Sequence, residues 1–288
     1  MAGADAVEAC MKLFSILDIY DLAAISPENY ACLPPPCIQA YADIRARMPS
    51  SMKPLVGTFR PSEQAQCLGR VFNDIPCEKQ RQYGPPYLEL IPVMPLEAWN
   101  SVERRTMECL PWQSIVANLD PSVWGVVPPE AMNKFPNEFW ENVPPQVLWA
   151  IPASTWCLLQ AHPFQVIRPQ FISLLPWEAI AGCQQDSRIL NALQTDKLQR
   201  LPWEQMMPLL PPAAFTSLNP TTTWAIPAAP WRQVSVAQAS AMPPGYFSRL
   251  PRASHLKIPL QVYKSLPRAH LAAMDPGRLR VATKGALP

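Results

Sequence analysis

The sequence predicts an all-α protein, a superhelical solenoid of short helices built on an eight-residue repeat. The first observation behind this prediction is proline content, with 37 prolines against 9 glycines in 288 residues. The second is an apolar residue followed by proline that recurs every eight residues, and the third is another apolar residue five positions later. With 49% hydrophobic and only 16% charged residues, the composition excludes a disordered chain.

The repeat is clearest in the middle of the chain, where seven consecutive units hold both positions. The leading apolar residues there are Val127, Phe135, Val143, Ile151, Leu159, Ile167 and Leu175. Their partners five positions on are Met132, Trp140, Leu148, Trp156, Phe164, Ile172 and Ile180. The same step occurs at 94–110 and 218–274, and near the N-terminus from Leu17 to Tyr41. A phase kept over these distances indicates a structural repeat.

Proline explains why each unit is helical. Directly after the apolar residue it suits the first position of a helix, where its missing N–H costs no hydrogen bond. The proline of the next unit ends that helix, because the residue before a proline is disfavoured in the α region. Each unit is therefore a helix of roughly six residues, about 9 Å long. A parallel β-helix is the alternative for a short period, but recurrent proline would remove hydrogen bonds from its strands.

Interruptions of the phase divide the chain. Residues 49–90 look irregular, whereas 184–200 lack proline and place apolar residues at helical spacing, which predicts one longer helix at a joint. The predicted segments are N-terminal helical repeats at 1–48, an irregular segment at 49–90, an octad solenoid at 91–183, the joint helix at 184–200, and a second solenoid with a basic C-terminal array at 201–288.

Two consecutive units carry a resemblance to a known group of proteins. The strings Val143-Pro-Pro-Gln-Val-Leu-Trp-Ala150 and Ile151-Pro-Ala-Ser-Thr-Trp-Cys-Leu158 are similar to the short helical repeats of the mesothelin, stereocilin and otoancorin group. The similarity covers most of residues 94–180 and 218–276. It implies a superhelical array of short helices and an adhesion or matrix-type interaction in place of catalysis.

The eight cysteines form no Cys-x-x-Cys pair, and only three histidines are present, so we expect no metal site. Cys32 and Cys37 are the one close pair. They could form a disulfide, but buried thiols in a reducing compartment are the favoured interpretation for all eight. No run of about 20 apolar residues is present, and the N-terminal stretch lacks the features of a signal peptide. These features favour an intracellular location.

Catalytic motifs are missing from the sequence. It contains no glycine-rich phosphate loop, no His-Glu-x-x-His and no Gly-x-Ser-x-Gly pattern. His255 falls on a core partner position, where a tolerated substitution is favoured over a ligand or proton-transfer role. We therefore expect a protein that is not an enzyme and binds no cofactor.

The tryptophans fall into three groups. Five occupy the partner position and are assigned to the core: Trp99, Trp124, Trp140, Trp156 and Trp231. Three follow the proline in a shared Leu-Pro-Trp tripeptide, Trp112, Trp177 and Trp203. Their rings either cover the preceding helix or stand exposed as anchors for a partner, as aromatic hot spots do. Trp149 and Trp224 share a further register whose role the sequence leaves open.

Positive charge is concentrated near the C-terminus. Residues 229–288 hold nine Arg or Lys and one acid, Asp275, for a net +8, whereas the remaining chain carries −6. Five of these cations are candidate binding residues: Arg249, Arg252, Lys257, Lys264 and Arg268. Aligned in a stripe they could follow the phosphates of a nucleic acid or an anionic membrane, although a solvated face is favoured.

The predicted function is that of a non-catalytic scaffold or adhesion-type surface for a protein or peptide partner. The alternative is a protein that binds nucleic acid or an anionic surface through its basic C-terminal units. A toxin or effector that uses a solenoid for host contact is a third interpretation that the sequence does not separate from these two.

Overall fold

The computed structural model describes residues 2–41, 46, 59–82, 90–183, 187–277 and 279. Within these residues the chain folds into 26 α-helices and three 3-10 helices, and no strand is present. The chain divides into two compact units, Met1–Ile151 and Pro152–Pro288. The predicted all-helical class is therefore confirmed for the described part of the chain.

In its described residues, the first unit contains two longer helices and twelve short elements. In chain order its α-helices are Ala2–Ile16, Ile19–Ala24, Pro27–Ala31, Pro35–Ala40, Pro61–Asp74, Cys77–Gln82, Leu96–Ser101, Arg104–Met107, Trp112–Asn118, Pro129–Met132, Asn137–Asn142 and Pro145–Ala150, with 3-10 helices at Ile91–Val93 and Pro121–Gly125.

The second unit is built from short helices of four to seven residues. They are Ala153–Leu158, Ala161–Val166, Pro169–Ile172, Trp177–Cys183, Arg188–Ala192, Thr195–Leu198, Trp203–Met206, Pro212–Ser217, Pro220–Ala225, Val236–Ala241, Pro244–Phe247, Arg252–His255, Leu260–Ser265 and Arg268–Ala273, with one 3-10 helix at Ala229–Gln233. In the described part of the chain, no helix has the length and apolar character needed to cross a bilayer.

Two segments differ from the prediction. The segment 49–90 is not irregular where it is described, because it contains Pro61–Asp74, a 14-residue helix capped by Glu63 at its N-terminus. The prediction of a single joint helix at 184–200 is also wrong over the described residues of that segment. Leu193 takes an extended conformation (φ −77°, ψ 143°) that ends Arg188–Ala192, and a new helix starts at Thr195. Apolar residues at helical spacing had concealed this break.

Short helices begin at regular intervals along the chain. From Pro129 to Trp177 successive helices start eight residues apart, as the bounds above show. The proline of the apolar-Pro pair lies one position earlier than predicted, at the N-cap. Pro128, for example, has an extended ψ of 148°, and its carbonyl accepts hydrogen bonds from Ala131 and Met132. Proline restricts only φ, so it fits this half-helical position.

Helix ends also follow the proline rule. The apolar residues Val143 and Ile151, each followed by proline, are C-caps with ψ of 122°. This is the extended region toward which a following proline pushes the backbone. Each proline thus ends one helix through its predecessor and begins the next through its own carbonyl.

Within each unit, a helix packs mainly against the third helix along the chain. In the first unit Trp112–Asn118 packs against Asn137–Asn142. In the second, Ala153–Leu158 packs against Trp177–Cys183, and Pro244–Phe247 against Arg268–Ala273. Short helices are marginal alone, so this stacking is what stabilises them.

The repeat positions form the core of this packing. All fourteen residues of the seven central units are buried, none exposing more than 5% of its surface. A third position, four residues after the leading one, is buried as well in the first four units: Ala131, Phe139, Val147 and Thr155. The sequence analysis missed this position because its residues vary in size and polarity.

The cysteines are paired in four disulfides, and none of them is free. The bonds are Cys10–Cys37, Cys32–Cys67, Cys77–Cys109 and Cys157–Cys183, with Cα–Cα distances of 5.1–6.1 Å. Both interpretations of the cysteines are therefore wrong: they are not reduced thiols, and Cys32 and Cys37 bond to other partners. Helix packing brings together cysteines 26 to 35 residues apart, so the pairing was invisible in the local spacing.

Candidate functional surfaces

The three Leu-Pro-Trp tryptophans are buried, which makes them unsuitable as exposed anchors. Trp112 is fully buried, and Trp177 and Trp203 expose 2% of their surface. The backbone N–H of each bonds to the carbonyl of the leucine two residues earlier, at 2.7–2.9 Å. Pro111 and Pro202 have φ near −77° and ψ of 70° and 62°, the geometry of an inverse γ-turn.

That turn directs each ring back over the preceding helix. The indole Nε1 donates to a carbonyl five residues earlier: Trp112 to Met107, Trp177 to Ile172 and Trp203 to Leu198, at 2.5–2.6 Å. Each acceptor is the last residue of a four-residue helix. The indole thus gives a short hydrogen bond to a helix-end carbonyl, and the carbonyls of Met107 and Leu198 otherwise accept only a longer backbone bond of 3.3–3.4 Å. The structure thus favours the interpretation of these rings as a cover for the preceding helix.

The other tryptophans separate cleanly by register. The five assigned to the core expose at most 3% of their surface, which confirms that assignment. Trp149 and Trp224 instead expose 63% and 47%. Both lie six residues after a leading apolar residue, and Leu256, at the same position of a later unit, is 54% exposed. We call this the outward position of the repeat.

The five cations proposed from the sequence are all exposed, and we refer to Arg249, Arg252, Lys257, Lys264 and Arg268 as the basic array. Arg268 opens a helix that packs against Pro244–Phe247, the helix that precedes Arg249. Arg252 opens a helix that packs against Ala229–Gln233, which carries Arg232. Neighbouring helices therefore carry these charges. Arg278, Arg280 and Lys284 lie outside the described residues.

Among the described residues, the cations of the basic array take part in no ion pair. Arg232 pairs with Glu204 at 3.0 Å, but no residue of the array has a carboxylate within ion-pair distance in the described structure. The reason is compositional, because the chain has no Asp or Glu between Glu204 and Asp275. The array therefore presents uncompensated positive charge to solvent.

Two lysines have a structural role that the sequence analysis missed. Lys134 Nζ donates to the carbonyls of Asn100 and Val102 at 2.7 and 2.8 Å. Lys197, which is 3% exposed, donates to the carbonyls of Phe164 and Gln165. Burial lowers the pKa of both ammonium groups below the ordinary value. Both lysines donate to carbonyls near the end of another helix. This role could not be predicted from the sequence, because the carbonyls lie more than 30 residues away along the chain.

His255 lies in an interior aromatic cluster. It is 2% exposed, its Nδ1 is 2.9 Å from the hydroxyl of Tyr263, and its ring meets Phe247 edge to face at 5.6 Å. His270 is also buried, with Nε2 2.8 Å from the carbonyl of Met242. Burial raises the pKa of the Tyr263 hydroxyl. This surrounding is that of a core residue, as expected for His255 from its register.

A shallow cavity of about 260 Å³ lies in the second unit. It is lined by Leu201, Pro202 and Trp203 on one side and by Pro227 and Pro230 on the other, and Glu204 also lines it. Among the described residues, no cluster of three or more His, Cys, Asp or Glu side chains could hold a metal ion.

Comparison of the chain with protein-family models, with curated proteins and with solved structures found no match.

Proposed function

We propose that the protein is a non-catalytic scaffold, a superhelical stack of short helices whose outward position binds a protein partner. The observation that carries the proposal is the exposure of Trp149 and Trp224 at this one repeat position, while the other eight tryptophans are buried. If each helix packs against the third helix after it in the sequence, one superhelical turn contains three helices. Such arrays commonly bind partners along extended surfaces.

Exposed tryptophan is the residue type most associated with binding energy at protein interfaces. In the first unit, Trp149 is followed by Ala150, whose carbonyl oxygen lies close to Gly125. Val126, which follows Gly125, exposes 70% of its surface. The exposed side chains of Trp149 and Val126 thus neighbour in sequence the two residues of this backbone contact, Ala150 and Gly125. The resemblance of the repeat to the mesothelin, stereocilin and otoancorin group supports the same type of function, adhesion or scaffolding.

The test is quantitative capture of partners by the intact chain and by the variant Trp149→Ala/Trp224→Ala. We expect specific partners to bind the intact chain and to be reduced at least tenfold with the variant, since hot-spot tryptophans contribute about 2 kcal/mol or more each. The matched control is Glu141→Ala/Ser173→Ala, two exposed residues at the same outward position. Equal capture by both variants would contradict the proposal.

A further inference from the structure

The basic array suggests a second surface, separate from the exposed tryptophans. Its five cations are exposed and occur in a stretch without a single carboxylate. Arg252, Lys264 and Arg268 lie in short helices, and Arg249 and Lys257 lie in the turns that follow helices. In the first unit the opposite holds, since five cations there each lie in an ion pair: Lys12, Arg60, Lys79, Arg104 and Arg105. Carboxylates thus neutralise these five cations, as Glu204 neutralises Arg232 in the second unit, whereas no carboxylate neighbours the basic array in the described structure.

We infer that the basic array binds a polyanionic polysaccharide, a chain bearing sulfate or carboxylate groups. A linear polyanion suits charges distributed over several helices, because successive anionic groups can each meet a cation and release a counterion. This binding is independent of the protein partner proposed above, and it uses different residues.

Disulfides decide between a polysaccharide and a nucleic acid. Four bonds use all eight cysteines, and such bonds persist in oxidising environments outside the cytosol. This favours an exported protein over the intracellular location expected from the sequence. Anionic polysaccharides are the abundant linear polyanions of such environments.

The aromatic residues near the array point the same way. Proteins that hold single-stranded nucleic acid usually stack bases on exposed aromatic rings. Near the array, Trp231, Phe247 and Tyr263 are buried, with at most 2% of their surface exposed, and Tyr246 is half-buried. A sulfated or carboxylated polysaccharide can bind through its charges alone.

A membrane surface fits the array less well. Peripheral binding through a helix requires an amphipathic segment with a broad apolar face, whereas the helices here have four to six residues. Leu256 is the one large apolar side chain exposed between residues 229 and 277 of the described chain. Charge without a neighbouring apolar face is typical of binding to a soluble polyanion.

The test is binding of the intact chain to fluorescently labelled heparin, measured by anisotropy over a series of salt concentrations. The test variant changes all five residues of the array to Gln. The control variant changes the five ion-paired cations of the first unit to Gln, which alters net charge by the same amount. Circular dichroism checks that both variants keep the helical content of the intact chain.

We expect the intact chain and the control variant to bind heparin with similar affinity. Each cation that contacts a polyanion adds roughly 0.7–0.9 to the slope of log K against log salt. The array variant should therefore lose about 3 or more from this slope and bind at least tenfold more weakly at about 0.15 M salt.

Three outcomes would overturn the inference. One is unchanged heparin binding by the array variant, and another is an equal loss in the control variant, which would show an effect of net charge alone. The third is tighter binding to single-stranded DNA or to vesicles with anionic phospholipid than to heparin, which would assign the array to another partner. None of these outcomes bears on capture through Trp149 and Trp224, so the two proposals fail separately.

Discussion

The indole nitrogen of Trp203 lies 2.6 Å from the carbonyl oxygen of Leu198, the last residue of the preceding helix. A residue five positions away in sequence thereby gives its shortest hydrogen bond to the carbonyl at the end of a four-residue helix, which otherwise accepts only the backbone N–H of Leu201 at 3.3 Å. The same relationship occurs at the other two Leu-Pro-Trp tripeptides. It links a sequence motif directly to the stability of the helix before it.

The first prediction concerns this hydrogen bond. Trp203→Phe keeps an aromatic ring but removes the N–H donor, so the Leu198 carbonyl keeps only the longer hydrogen bond from the backbone N–H of Leu201, at 3.3 Å. We expect a loss of about 0.5–1.5 kcal/mol from the missing hydrogen bond, beyond the cost of the smaller ring. Urea unfolding followed by circular dichroism measures this change.

Trp231→Phe is the matched control for the smaller ring. Trp231 is fully buried, and its indole N–H has no hydrogen-bond partner in the described structure. The control should therefore cost less than Trp203→Phe. Equal losses in both variants would show that the hydrogen bond to Leu198 contributes nothing.

The second prediction concerns the contact between the helices Pro61–Asp74 and Leu96–Ser101. A methyl group at Gly69 would lie 2.2 Å from the carbonyl oxygen of Ala98, so the two backbones would have to separate. We expect Gly69→Ala to destabilise the first unit by about 1–3 kcal/mol. The measurement is the midpoint of thermal unfolding.

Gly182→Ala provides a control of opposite sign. Gly182 is a helical residue, and an added methyl group there meets nothing within 4 Å. Alanine is the better helix former, so this variant should gain about 0.5–1 kcal/mol. A stabilising effect of Gly69→Ala would mean that the helices do not approach as closely as described.

The third prediction concerns the cysteines. Intact mass after treatment with iodoacetamide, without reduction, should show no alkylated cysteine, because all eight are paired. The variant Cys157→Ala/Cys183→Ala should lose about 3–4 kcal/mol, as expected for a bond that closes a loop of this length. Alkylation of two or more cysteines in the protein that has not been reduced would contradict the pairing.

The fourth prediction concerns pH. The carboxylate of Asp18 accepts hydrogen bonds from the backbone N–H of Asp21 and from Lys79, which lower its pKa to about 2. A folded-state pKa below the unfolded value contributes stability that is present above the unfolded pKa of about 4. That stability is lost as pH falls toward 2. Asp18→Asn should therefore be less stable than the native chain at pH 6, and the gap should close between pH 4 and pH 2.

Asp21 gives the opposite dependence and serves as the comparison. Burial raises its pKa, so ionisation at neutral pH costs stability that protonation at low pH restores. Asp21→Asn should thus be more stable than the native chain at pH 6 and lose this advantage on acidification. Urea midpoints of both variants at pH 2, 4 and 6 test the two signs together.

Local features of the fold could be predicted from the sequence because proline acts on its immediate neighbours. The bounds of Asn137–Asn142 and Pro145–Ala150 follow from prolines at fixed positions, and apolar residues at Val143 and Leu148 identify the core. The prediction of a single joint helix at 184–200 was wrong because that segment contains no proline. Without proline, the periodicity of Ile189 and Leu198 did not show the extended residue between them.

Surface features were harder to predict. The exposure of Arg249 and Lys257 follows from charge alone, whereas Trp112 and Trp149 could not be separated by residue type. One ring is turned inward by a γ-turn and the other is left in solvent. Their registers in the sequence differ, but only the backbone geometry shows which of the two rings is buried.

The sequence by itself determined helix boundaries where prolines recur, because proline restricts backbone dihedrals within one or two residues. It also determined which apolar residues form the core, since burial follows the repeat. Tertiary structure alone decided which cysteines meet, which carbonyls Lys134 and Lys197 satisfy, and which cations stay unpaired. Those relationships join residues roughly three helices apart, and their distances depend on how the helices stack, which no local pattern specifies.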